Sequence, residues 1–186
     1  MPIILNEYTG KPMSLLILGA GGLGQAVAEM AQMSGYYSTI AFLDDNPTDE
    51  KEALYRIIGK TEDAEKFAGT YTHAIPAFGN NQSRYSWIQK LKRYGYRLPR
   101  IIHQSAIISP TAKIGDGTVI RERAVISRGV TIGEGCLINI GVMIDHNVVV
   151  GDGCHLPMGC IVRNEIHIPE LNGFSVGQIL ETADEV

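Results

Sequence analysis

At 186 residues, 45% of them hydrophobic and 19% charged, the chain has the composition of a folded globular protein, with room for one large domain or two small ones. A formal net charge of −4, with Lys and Arg scattered and no cluster beyond Arg121 and Arg123, argues against a nucleic-acid partner. Apolar runs are too short for membrane insertion and the N-terminus lacks the pattern of a signal peptide, so a cytoplasmic protein is expected.

In chain order, the apolar run 14–18 (Ser-Leu-Leu-Ile-Leu) predicts a buried strand, followed by the glycine loop Gly19-Ala20-Gly21-Gly22-Leu23-Gly24. A helix is predicted from Gln25 to Gly35, with Ala26, Val27, Met30 and Ala31 on its apolar side. A second strand, Ser38 to Leu43, runs into the turn Asp44-Asp45-Asn46-Pro47. Thr70 to Phe78 predicts a third strand, closed by Gly79-Asn80-Asn81, and a second helix follows from about Ser83 to Tyr94. Strands alternating with helices predict a parallel sheet, and residues 1–102 are expected to form a small Rossmann-like α/β domain.

The periodicity then changes. Positions 108, 114, 120, 126, 132, 138, 144, 150, 156, 162 and 168 are all aliphatic, one every six residues. Four residues after each, from Ala112 to Ile166, stand small or aliphatic side chains that include Cys136, Cys154 and Cys160. This period belongs to neither an α-helix nor an alternating strand; it is the signature of a unit that stacks on itself. Six residues fit one flat face of a triangular coil, and three faces make a turn of 18. Glycines such as Gly115, Gly117, Gly133, Gly135, Gly151 and Gly153 suit turns that need open backbone angles. A left-handed parallel β-helix is therefore expected over 103–172. Residues 173–186 are expected to form a decaying final turn or a cap over the exposed strand edges. The three cysteines match no zinc pattern and are expected to be buried thiols; no metal site is expected.

The glycine loop, the Phe42-Leu43-Asp44-Asp45-Asn46 strand end and the hexapeptide block together resemble the bacterial sugar acetyltransferases with hexapeptide repeats. These include the pilin-glycosylation enzymes that N-acetylate a UDP-4-amino-sugar, the perosamine N-acetyltransferases and the NeuD-like sialic acid O-acetyltransferases. The resemblance implies a homotrimer, with acetyl-CoA as co-substrate between neighbouring coils and a UDP- or other nucleotide-linked sugar in the N-terminal domain. Gly19, Gly21, Gly22, Asp44, Asp45, Gly79 and Asn80 would then line the sugar-nucleotide pocket, and amides at a helix start suit its phosphates. His146, within Asp145-His146-Asn147, would be the general base, since an imidazole takes a proton near neutral pH. Asn147 would orient the ring without the charge that an acid supplies there in relatives. His155 and Gly159 match the family's positions at the acetyl-CoA end. His103 is expected to be structural.

Two departures accompany the resemblance. Asn164, 18 residues after His146, stands where relatives commonly present a glycine N–H to the thioester oxygen. Pro169-Glu170-Leu171-Asn172 replaces a glycine-rich turn, which predicts a shortened C-terminus and CoA groove. The leading expectation is acetyl transfer to an amino sugar. A hydroxyl acceptor, as in sialic acid O-acetylation, and a non-catalytic relative that binds a nucleotide sugar or a protein are the alternatives. The five histidines lack the metal-triad spacing of γ-type carbonic anhydrases.

Overall fold

The structure is a computed structural model, and it describes residues 13–46 and 55–182. These divide into two compact units, one ending at Pro99 and the other beginning at Arg100.

The first unit is a three-stranded parallel sheet of β1 (Met13–Leu18), β2 (Tyr37–Leu43) and β3 (His73–Pro76), in the order β2-β1-β3. It carries the helices α1 (Gly22–Ser34) and α2 (Asn81–Arg93). Leu15, Leu16, Ile17 and Leu18 are all fully buried, the reading expected of a central parallel strand covered on both faces. The helix start predicted at Gln25 lies at Gly22, so α1 begins inside the glycine loop. It ends at Gly35, whose left-handed φ of 73° and N–H to Gln32 O close the last turn. The third strand is shorter than predicted. A 3₁₀ segment, Thr61–Phe67, precedes it and was not anticipated, because polar Thr-Glu-Asp and Glu-Lys show no apolar period.

The second unit is the left-handed parallel β-helix. Face I stacks Ile101–Ile102, Val119–Ile120, Leu137–Ile138 and His155–Leu156. Face II stacks Ile107–Ile108, Val125–Ile126, Met143–Ile144, Ile161–Val162 and Ile179–Leu180. Face III stacks Lys113–Ile114, Thr131–Ile132, Val149–Val150 and His167–Ile168. Every pairing is parallel and offset by 18 residues, so each side chain sits over its counterpart one turn away. The coil starts two residues before the expected 103. It also continues past 172, because Leu180 still reaches the core and Phe174 packs against it.

The corners explain the small residues. Backbone φ is positive at every sixth position from 117 to 177: at Gly117, Gly129, Gly135, Gly141, Gly153, Gly159 and Gly177, and also at Arg123, Asn147, Glu165 and Leu171. Gly115, Gly133 and Gly151 are required for a different reason than predicted. None has a positive φ; a Cβ at Gly115 or Gly133 would run into backbone of the next turn or the side chain of Asp152. Along one edge, Thr118 Oγ1 donates to Gly133 O (2.8 Å), Cys136 Sγ to Gly151 O (3.1 Å) and Cys154 Sγ to Pro169 O (3.0 Å). These fully buried side chains tie each turn to the next, so the cysteines are satisfied structural thiols.

Candidate functional site

The candidate residues fall into two groups, one in each unit. In the α/β unit, the loops after β1, β2 and β3 all lie at the carboxyl ends of the strands. In the order β2-β1-β3 the chain passes from β1 to β2 on one side and then crosses back to β3 on the other, and the crevice at that switch point is where open α/β sheets take ligands. Gly19 has φ of 101°, and a Cβ there would come within 3.1 Å of Ala77 O and of the Phe78 ring, so the β1 and β3 loops touch. Gly24 supplies the close packing of α1 on the sheet, since a Cβ on it would run into Gly19 O. Gly21 and Gly22 are exposed and open, with nothing within 4 Å of an added Cβ, and Gly21 caps α1 without a side-chain bond. Their amides start a helix whose dipole favours an anion.

Both candidate aspartates hold backbone. Asp44 Oδ2 accepts from Ala20 N–H (2.7 Å) and Oδ1 from Asn46 N–H (2.8 Å), which fixes the glycine loop against the end of β2. Asp45 accepts from Thr61 N–H (3.0 Å) and Thr61 Oγ1 (2.7 Å) and so anchors the 3₁₀ segment. Asn80 Oδ1 accepts from Ser83 N–H (2.8 Å) as the N-cap of α2, with Gly79 exposed beside it. Gly19, Gly21, Gly22, Asp44, Gly79 and Asn80 are thus gathered at one end of the sheet, with Asp45 turned to Thr61.

On the coil, His146 lies at the edge between faces II and III, half-buried. Its Nδ1 is fully buried with no hydrogen-bond partner among the described residues. Asp145 does not supply one: its Oδ1 accepts from the His146 main-chain N–H (2.7 Å). Nor does Asn147, which occupies the corner with φ of 59° and extends its Oδ1 to the turn below, into the space a Cβ on Gly129 would need. One turn above, Asn164 stacks over His146, and Glu165 N–H donates to His146 O (3.1 Å). His146, Asn147 and Asn164 therefore share an edge. His155 lies on face I, its N–H bonded to Asn172 O (2.9 Å), and Gly159 turns the edge between faces I and II. A single chain does not bring these two to His146.

Next to His146, face II carries a groove of about 290 Å³ lined by Val125, Met143 and Ile161 on one side and Ser127, Asp145 and Arg163 on the other. The outward column Ile107, Val125, Met143, Ile161, Ile179 is apolar throughout, and Ile107 (66%), Met143 (45%) and Ile179 (49%) are exposed. Sequence reasoning missed this column. The signal is in the residue before each inner aliphatic, which is apolar in all five strands of face II, whereas face III has Lys113, Thr131 and His167 there beside a single apolar Val149. At the edge between faces I and II, Arg121 donates to both Glu122 oxygens (2.8 and 3.2 Å) and holds that carboxyl below its usual range. Among the described residues no group of His, Cys, Asp and Glu is arranged to hold a metal ion, and no helix is long and apolar enough to cross a membrane.

Comparison with known proteins agrees with this architecture. Residues 14–91 match the model of the PglD N-terminal domain, and residues 129–164 match the bacterial transferase hexapeptide (six repeats). The acetyltransferase domain of PglB from Neisseria gonorrhoeae FA1090 is 26% identical with a TM-score of 0.75, over 90% of each chain. The same domain in complex with acetyl coenzyme A is 25% identical with a TM-score of 0.71, over 93% of this chain and 95% of that one. PerB from Caulobacter crescentus, in complex with CoA and GDP-perosamine, is 23% identical with a TM-score of 0.80, over 90% and 88%.

Proposed function

We propose, from the premise of a PglD-type N-terminal domain joined to bacterial transferase hexapeptide repeats, that this chain is an acetyltransferase using acetyl-CoA to acetylate the amino group of a nucleotide-linked sugar. The observation that carries this reading is His146, a half-buried imidazole on a coil edge beside a groove with one apolar and one polar wall. Such a groove suits an extended chain of amides and methylenes like the pantetheine of CoA. His146 takes a proton from the attacking amine as the N–C bond forms at the thioester carbonyl. The tetrahedral intermediate collapses with cleavage of the C–S bond, and the CoA sulfur leaves. Asn164 offers a main-chain N–H one turn above His146 as an oxyanion donor.

A homotrimer belongs to this reading. The exposed column Ile107–Met143–Ile179 supports it, because an apolar stripe of this length on an outer face calls for a cover. Three subunits would also let His155 and Gly159 of one coil approach His146 of the next. Light scattering is expected to give three times the 20.3 kDa chain mass.

Free-thiol release from acetyl-CoA, with UDP- and GDP-linked 4-amino-sugars as acceptors, tests the activity. His146→Ala is expected to lose turnover by about 10³-fold while acetyl-CoA binding persists. A hydroxyl acceptor turned over in place of the amine would move the assignment to O-acetylation. No acetyl-CoA binding up to millimolar concentration would make this a non-catalytic binder of nucleotide sugars.

A further inference from the structure

On face II the residue after each inner aliphatic points outward, and three of these, Ser127, Asp145 and Arg163, form the polar wall of the groove beside His146. Asp145 is half-buried, and its Oδ1 accepts from the main-chain N–H of His146. Its Oδ2 has no hydrogen-bond or ion-pair partner among the described residues. Arg163 is exposed, and among the described residues its guanidinium pairs neither with Asp145 one turn below nor with Glu181 one turn above. Strands stacked this way lie about 4.8 Å apart, so a carboxylate and a guanidinium stand one turn from each other along one wall without closing into a pair. The opposite wall, Val125, Met143 and Ile161, carries no charge that could answer either.

The order of the two charges matches the order of the reacting groups. Asp145 stands at the level of His146, whose buried Nδ1 leaves Nε2 as the ring nitrogen open to an acceptor. Arg163 stands at the level of Asn164, one turn above His146. An amino sugar reaches the site as an ammonium and gives one proton to water before it attacks. As the N–C bond forms, the nitrogen becomes positive again and the thioester oxygen negative. His146 then takes the second proton and passes it to the CoA sulfur as the C–S bond breaks. A carboxylate at the nitrogen and a cation towards the oxygen favour that separation of charge. A hydroxyl gains nothing comparable, because it arrives neutral and its oxygen turns towards alkoxide, which a carboxylate opposes.

We propose that Asp145 and Arg163 make this site select a cationic amine over a hydroxyl as acceptor. Asp145 holds the ammonium and then the positive nitrogen of the intermediate, and Arg163 supports the oxyanion from one turn above. The inference rests on the acetyl-transfer reading above and deepens it, naming the residues that distinguish N-acetylation from O-acetylation.

Calorimetry with UDP- and GDP-linked 4-amino-sugars, set beside the same sugar nucleotides bearing a 4-hydroxyl, tests it, together with kcat for the amine. The wild type is expected to bind the amine tighter by about tenfold or more. Asp145→Asn keeps an oxygen for the His146 N–H and is expected to weaken only the amine, bringing the two ligands within about twofold of each other. A merely structural role would weaken both alike. Arg163→Met is expected to leave both affinities within about twofold and to lower kcat about tenfold, with Arg163→Lys recovering part of the loss.

Equal affinity of the wild type for amine and hydroxyl, no binding of either, or a kcat untouched by Arg163→Met would overturn the proposal. So would loss of both ligands alike with a smaller mass in light scattering, which would make the two charges a contact between subunits. An amine preference that disappears in Asp145→Asn, in a protein that turns over no sugar nucleotide, would retain the assignment of Asp145 and remove the acetyl-transfer reading. Amine turnover with an unchanged preference in Asp145→Asn would do the reverse.

Discussion

In β1 four consecutive residues, Leu15 to Leu18, are buried; in the coil strand Met143–Ile144, one residue is exposed and its neighbour fully buried. The contrast runs through both units. A central parallel strand lies between covered faces and joins one core made of residues distant in sequence, such as Leu16, Ala74, Trp87 and Leu91. A coil strand has one inner face, and its core neighbours are those one turn above and below, as Ile126, Ile144 and Val162 are. Stability in the coil is therefore close to a sum over turns, whereas the α/β unit stands or falls as one body. The chain carries its own probes of the difference. All eight tyrosines and the single tryptophan precede residue 100, so intrinsic fluorescence reports the α/β unit alone.

The largest effect is expected from emptying each core. Leu16→Ala and Ile144→Ala should each cost about 3 kcal/mol. Leu16→Ala should move the fluorescence-detected urea midpoint, and Ile144→Ala only the circular-dichroism transition. Shifts of both signals by both variants would mean that the two units unfold together.

Gly133→Ala should cost about 2 kcal/mol in the coil, because its Cβ strikes Asp152 one turn above and relief means parting two turns. A normal dichroism midpoint for this variant would show that the edge is looser than its packing implies.

Alkali should act on the α/β unit. Burial raises the Tyr96 phenol from its usual value near 10 to about 12, and its hydroxyl donates to Ala64 O (2.7 Å). A folded-state pKa above the unfolded one favours the protonated form. The contribution is thus complete below pH 10 and disappears as the pH rises through 12. The fluorescence-detected midpoint should fall over that window, and Tyr96→Phe should flatten the fall after losing about 1 kcal/mol for the bond.

The smallest change is a gain. Leu171 holds a left-handed φ of 60°, so Leu171→Gly should relieve strain and stabilise the last turns by up to about 1 kcal/mol. A lower dichroism midpoint would assign Leu171 a packing role that outweighs the strain.

What the amino-acid order determined by itself is the architecture: the aliphatic period from Ile108 to Ile168, the phase still kept by Phe174 and Leu180, and the strand–helix alternation around Gly19–Gly24. These are repeated or short-range patterns, and each follows from which side chains can be inside at a given spacing. Counting along the repeat also fixed the edge on which His146 sits, although its choice as a candidate came from the resemblance and not from the period. The tertiary structure decided everything that turns on a partner distant in sequence. It gave Asp45 to Thr61, gave Asp44 to the amide of Ala20, buried Arg84 under the β3–α2 loop and turned the Asn147 side chain down over Gly129. It also separated Gly133, needed for closeness to the next turn, from Gly135, needed for its φ of 63°. The reason is physical: a hydrophobic period sums over many residues and survives local exceptions, whereas a hydrogen bond depends on where two particular atoms come to rest.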